Sequence, residues 1–183
     1  MNNNNDKTLN LIPRIGALIF GALAFFMMFA PNILMPGFKL ASDGLQFSGL
    51  NVAFGMSKKI VNPLLSTGVK IDVKYFSASI MILTYLLALG GAILAILDII
   101  GVGGKVVPII ACICFCSAAV MFFCIKDLVI LNAQADVAEF FGETNLQYGF
   151  GALFGGISCI IAGVSSLASI FTPKEKAVFK HVK

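Results

Sequence analysis

Few residues in this chain are of types that do chemistry, and their spacing argues against most of it. The one histidine, His181, lies among the last three residues. With no second imidazole and no carboxylate and serine set beside it, neither a nucleophilic triad nor a zinc-protease HExxH helix can be assembled. The five cysteines are Cys112, Cys114, Cys116, Cys124 and Cys159. The run Cys112-x-Cys114-x-Cys116 lacks the spacer of zinc-binding pairs. On a helix Cys112 and Cys116 share a face and Cys114 points nearly opposite. The thiols are therefore expected to pack as small hydrophobes, with metal binding or acylation of Cys112 as the alternative use. Asp136, Glu139 and Glu143 recur at i, i+3 and i+7, which places three carboxylates on one helix face. Oxygen ligands of this kind suit Ca²⁺, but the alternating spacing of a dedicated loop is missing, so a solvated face is expected. Gly101-Val102-Gly103-Gly104 follows no strand and is not a phosphate loop. No enzyme activity, cofactor or metal is expected. With no basic stripe interleaved with aromatics, nucleic acid is not an expected partner either.

The elements that position these residues are set by where charge is absent. The chain has 183 residues, 58% hydrophobic and only 12% charged. Arg14 to Lys39 encloses 24 uncharged residues, Lys74 to Asp98 encloses 23, Lys105 to Lys126 encloses 20 and Glu143 to Lys174 encloses 30. Each interval is long and apolar enough to cross a hydrocarbon core of about 30 Å as a helix. The expected fold is an all-α integral membrane protein, a four-transmembrane-helix bundle with a small extracellular antiparallel β-sheet in its first loop. Spans are expected at 15–35, 77–97, 106–125 and 149–171, in a single membrane domain covering 1–183. Outer loops then fall at 36–76 and 126–148, an inner return at 98–105, and tails at 1–14 and 172–183. The tails and return hold 7 Lys/Arg against 3 acids, and the two loops hold 6 against 6. Positive residues favour the cytoplasmic side, so both termini are expected inside, with the plasma membrane as location. Lys7 and Arg14 before an apolar run resemble a signal peptide, but the run continues past Ala30-Pro31, and a retained anchor is expected.

The first loop carries strand signals. Val69-Lys70-Ile71-Asp72-Val73-Lys74-Tyr75 alternates apolar and polar residues, the pattern of a half-buried strand. Residues 45–54 form a second candidate, with Gly49 a bulge or bend, and Phe38-Lys39-Leu40 a short third. Because a lone hairpin is marginal in water, a three-stranded sheet is expected. The last turns of span three are expected to project into the second loop as a helix with the acidic face described above.

Ionisable residues are nearly missing from the spans. Asp98, at the inner end of span two, is the exception and is expected at the interface with Lys105 as partner. Small residues at four-residue steps are plentiful instead: Gly151, Gly155, Cys159 and Gly163 in span four, Ala17 and Gly21 in span one, and Ala88, Gly91, Ala92 and Ala95 in span two. Such faces let backbones approach closely. They are expected either to close the bundle internally or to recruit another chain.

Four spans, internal termini, a short inner return and strands running into span two resemble the claudin-like tetraspan architecture. The resemblance is one of topology and covers most of the chain. That family's first loop carries Gly-Leu-Trp followed by two cysteines, whereas here Gly49-Leu50 precedes Asn51 and the chain has no Trp. Residues 47–55 and Tyr148-Gly149-Phe150-Gly151 also look like small uncharacterised bacterial four-span membrane proteins. The expected function is a non-catalytic tetraspan membrane protein acting as a structural, interaction or self-assembling component. Its expected partners are the lipid bilayer and either itself or another membrane protein. Gly151, Gly155, Gly163, Ala17 and Gly21 are the expected helix-packing and assembly residues, and Val69, Ile71, Val73 and Tyr75 the outer-strand contacts. The alternative is an accessory subunit of a transporter or channel.

Overall fold

The computed structural model describes residues 3–35, 45–54, 57–61, 68–72, 80–132 and 146–172. It is mostly helical. Helix α1 covers Asn3–Phe26 and ends in a 3-10 turn, Met27–Phe29; α3 covers Ile80–Ile100 and α4 Val106–Phe123, with the short α2 at Gly49–Phe54. Helix α5 covers Ile125–Asn132 and α6 covers Phe150–Phe171. Strands β1 (Pro31–Met35), β2 (Leu45–Ser48), β3 (Ser57–Val61), β4 (Gly68–Asp72) and β5 (Gln147–Tyr148) complete the described chain. Four segments are long and apolar enough to cross a membrane: Asn10–Phe29, Ile80–Ile100, Val106–Phe123 and Phe150–Phe171. The contacts separate into two compact units, one of Met1–Phe25, Tyr85–Val120 and Gly156–Lys183, the other of Phe26–Thr84 and Met121–Gly155.

In the first unit one aromatic ring organises the packing. Phe115 is fully buried among Ala17, Ala95, Ala111 and Ala162. A Cβ added to Gly21 would lie 2.6 Å from the Phe115 ring, and one added to Gly91 also 2.6 Å from it. The two glycines are therefore the walls of a notch that holds the ring, and any side chain there would displace it. Glycines Gly101, Gly103 and Gly104, all with positive φ, make the tight return from α3 to α4, a conformation that L side chains rarely adopt.

The second unit contains a three-stranded antiparallel sheet in the order β2-β1-β5. Here the structure corrects the expected one. Residues 31–35 belong to the sheet and not to span one, because Pro31 ends the helix before Pro36 can. A residue preceding proline is driven out of the α region, and Ala30 is extended at φ −81°, ψ 159°. The register slips between Pro31 and Ile33, which leaves Asn32 as a bulge. Its buried side chain turns back, and Nδ2 donates to Met27 O at 2.9 Å and Ala30 O at 3.0 Å, satisfying carbonyls at the helix end. Gly149 allows β5 to approach: its N–H donates to Asn32 O at 2.8 Å, and a Cβ there would lie only 2.2 Å from Pro31 O.

The candidate strand at 45–54 stops at Ser48. Ser48 Oγ accepts a hydrogen bond from the Asn51 N–H at 3.3 Å and so caps α2, which makes Gly49 a strand-to-helix junction and not a bulge. Strand β4 begins at Gly68 and pairs with β3 in a two-stranded sheet separate from the one that holds β2. Val73, Tyr75 and residues 38–40 lie outside the described residues, as do Asp136, Glu139 and Glu143. The remaining spans sit close to expectation, with α3 shifted three residues later at each end and a break at Cys124 between α4 and α5.

Phe115→Ala is expected to destabilise the chain by about 3–5 kcal/mol, since the notch cannot collapse onto a methyl group. Thermal unfolding in detergent should show a lower Tm, and an unchanged Tm would mean that the ring does not organise this unit.

Candidate functional site

The first unit buries two opposite charges. Arg14 on α1 is 7% exposed and Asp98 on α3 is 2% exposed, with Arg14 Nε 3.3 Å from Asp98 Oδ2. Nη2 of the same guanidinium donates to Thr172 Oγ1 at 3.4 Å, immediately beyond α6. The Thr172 hydroxyl in turn donates to Ser169 O at 2.8 Å, and Ser169 Oγ donates to Ser166 O at 2.8 Å. Ser166 and Ser169 are themselves buried. Side chains from α1 and α3 and the residue after α6 thus converge on one ion pair.

This overturns the expected partner of Asp98. Asp98 is buried, not interfacial, and it pairs with Arg14, while Lys105 is exposed on the return. The sequence carried a signal for it. Arg14 precedes Ala17 by three residues and Gly21 by seven; Asp98 follows Ala95 by three and Gly91 by seven. Both charges therefore lie on the small-residue stripes that face the interior, since helical positions three, four and seven apart share a face. Taking the flank of span one at Ile15 hid Arg14 from that pattern. A buried pair of this kind is costly to desolvate, and it holds together only because each charge answers the other.

The expected packing residues are all found against their own chain. Ala17 and Gly21 face Phe115 and its neighbours. A Cβ on Gly151 would lie 3.0 Å from Ala30 Cβ, Asn32 Nδ2 and Met27 O, and one on Gly155 would lie 2.7 Å from the Phe122 ring. Gly163 is looser, with Cys116 Sγ 3.6 Å from the added atom. Val69 pairs with Ile60 and Ile71 with Lys58 in the β3–β4 register. Cys112 and Cys116 bring their sulfurs within 3.9 Å, as two residues one turn apart should, while no group of three metal-ligating side chains occurs among the described residues.

The second unit holds a smaller polar cluster that the sequence reading did not single out. Tyr148 Oη donates to Phe123 O at 2.6 Å, occupying a carbonyl at the end of α4, and Lys126 Nζ lies 4.4 Å from the centroid of the same ring. Burial raises the Tyr148 phenol above its ordinary value near 10, and the nearby Asp127 and Cys124 push the same way.

No protein-family model matches this chain, and no curated protein matches it.

Asp98→Ala should cost about 3–5 kcal/mol by stranding the Arg14 charge, whereas Arg14→Gln/Asp98→Asn should recover most of that loss. A double-mutant cycle of unfolding free energies checks it, and equal losses for the single and double variants would dismiss the pair. For Tyr148, the neutral phenol is favoured in the folded state. Its stabilisation is complete below the ordinary phenol value and fades as pH rises through the raised one. Relative to Tyr148→Phe, the wild type should keep an advantage of about 1 kcal/mol that shrinks as pH rises above about 10. A gap that stays constant over that range would refute the assignment.

Proposed function

We propose that this chain is a non-catalytic four-span membrane protein that acts as a structural or interaction component, displaying its strands on one side of the plasma membrane. The observation that carries the membrane reading is the inversion of polarity in the helices. Leu86, Ile113 and Val164 are 57%, 60% and 61% exposed, while Thr84, Asp98, Ser166 and Ser169 are buried. A water-soluble bundle would do the reverse. Apolar side chains outward and hydroxyls, carboxylate and guanidinium inward is the arrangement that suits a hydrocarbon solvent. Charge supports an orientation with both termini in the cytoplasm: the excess of Lys/Arg over acids falls in the tails and return. The strand-bearing segments then lie outside, as in the claudin-like topology.

Interaction is favoured over catalysis because the polar groups that converge inside the chain are an ion pair and hydroxyls that bond to their own helix. Two-stranded β3–β4 has no third strand among the described residues. Such an edge is a template for strand addition by a second copy or another membrane protein. Gly151 and Gly155 are occupied by contacts within the chain, so the strand edge is the better place to test assembly.

Native mass of the gently extracted complex tests the reading first. A fixed homo-oligomer is the expected result, a stoichiometric second protein would favour an accessory subunit, and a bare monomer would count against both. In parallel, Val69→Cys or Ile71→Cys should form an intermolecular disulfide under mild oxidation that the wild type does not form. Monomer alone on a non-reducing gel would exclude β4 as the contact.

A further inference from the structure

Arg14 is held at one edge only. A guanidinium presents five N–H donors in a planar fork. Nε faces Asp98 Oδ2 as an ion pair without hydrogen-bond geometry, and a single N–H on Nη2 makes the long bond to Thr172. Nη1 meets no acceptor among the described residues. The Thr172 hydroxyl gives its own proton to Ser169 O, which leaves its oxygen oriented to accept from the guanidinium. The buried atom of Arg14 that lacks a hydrogen bond is Nε, and a charged guanidinium that uses so few of its donors gains from any further acceptor at its Nη edge.

The depth of the group says what could supply the acceptor. Asp98 is two residues from the end of α3, Thr172 directly follows α6, and Arg14 is four residues inside the apolar segment that begins at Asn10. At a rise of 1.5 Å per residue these positions lie about 3–6 Å from the ends of their apolar helices. In the four-span reading, on which this inference rests, that is the boundary between acyl chains and headgroups. Phosphate oxygens lie there, and a planar guanidinium binds them through two parallel charge-assisted bonds.

We propose that Arg14, steadied by Asp98 and Thr172, is a phosphate-binding site that takes the headgroup phosphate of an anionic phospholipid on its Nη edge. Asp98 holds the Nε side, which orients the fork and neutralises it when no phosphate is bound. The lipid is then a fourth contact at a point where α1, α3 and the end of α6 already meet.

Native mass spectrometry of the full chain, purified in mild detergent after reconstitution with phosphatidylglycerol and phosphatidylcholine, tests the site. The wild type should retain one phosphatidylglycerol per chain. Arg14→Gln/Asp98→Asn keeps neutral hydrogen bonding in place of the ion pair and should lose that lipid. Arg14→Lys keeps the charge without the fork and should hold it about tenfold more weakly, with helix content by circular dichroism unchanged. Lys105→Gln removes one positive charge from the exposed return and should retain the lipid as the wild type does. Equal retention by the wild type and both Arg14 variants would overturn the site. Stabilisation of lipid-free protein by inorganic phosphate, with no lipid retained, would overturn the headgroup as its source. Extraction of the chain from membranes by alkaline carbonate alone would instead sink the four-span reading, independently of any phosphate binding.

Discussion

Helices whose outward faces are as apolar as their inward ones are not sorted by apolarity, and in this chain the faces differ in size. Inward positions are filled by Ala17, Gly21, Ala24, Ala88, Gly91, Ala92, Ala95, Ala111, Ala118, Ala152, Gly155 and Ala162, while the large side chains of the same helices point outward. Small residues let backbones come close enough for many weak dispersion contacts to add up. Among the exceptions are Phe115 and Phe122, one heptad apart on α4. Each is seated where a facing glycine, Gly21 and Gly91 for the first and Gly155 for the second, leaves room for a ring. Close backbone approach is thus the constraint that fixes which side chains can be large and which must be absent.

Polar groups follow the same constraint. A charge on a small-residue stripe has no route to solvent, so it must find its counter-charge on the facing stripe. Arg14 and Asp98 do so, and the hydroxyls of Ser169 and Thr172 are spent on carbonyls of their own segment, at Ser166 and Ser169. Arg14, Asp98, Ser169 and Thr172 of the first unit are in this way committed to holding and orienting one guanidinium. In the second unit the corresponding task falls to Asn32 and Tyr148, whose side chains answer helix-end carbonyls at Met27, Ala30 and Phe123.

The sheet shows how a single residue redirects a long apolar run. Pro31 cannot be preceded by a helical residue without strain, so the chain turns extended while still apolar, and Ile33 becomes the buried centre of a sheet. Gly149 then admits β5 at a separation no other residue permits. The strands that meet here come from two distant parts of the chain, β1 and β2 from one and β5 from the other, and Ser48 ends β2 by capping the helix that follows.

Four long apolar helices, their approximate limits, the tight glycine return and the existence of strands between the first two helices were legible in the residues alone. These depend on local composition, periodicity and backbone preference, which a sequence carries directly. The tertiary structure alone decided which strands pair, that residues 31–35 leave the first helix for the sheet, and that Asp98 answers Arg14 and not Lys105. The β1–β5 pairing and the Arg14–Asp98 pair join residues far apart in sequence, selected by geometry among several chemically acceptable partners, while the departure of residues 31–35 begins locally at Pro31 and is completed by those pairings. Arg14 shows the division most plainly: its spacing from Ala17 and Gly21 placed it on an inward face, but only the approach of α3 and the end of α6 gave that face a carboxylate and a hydroxyl to meet.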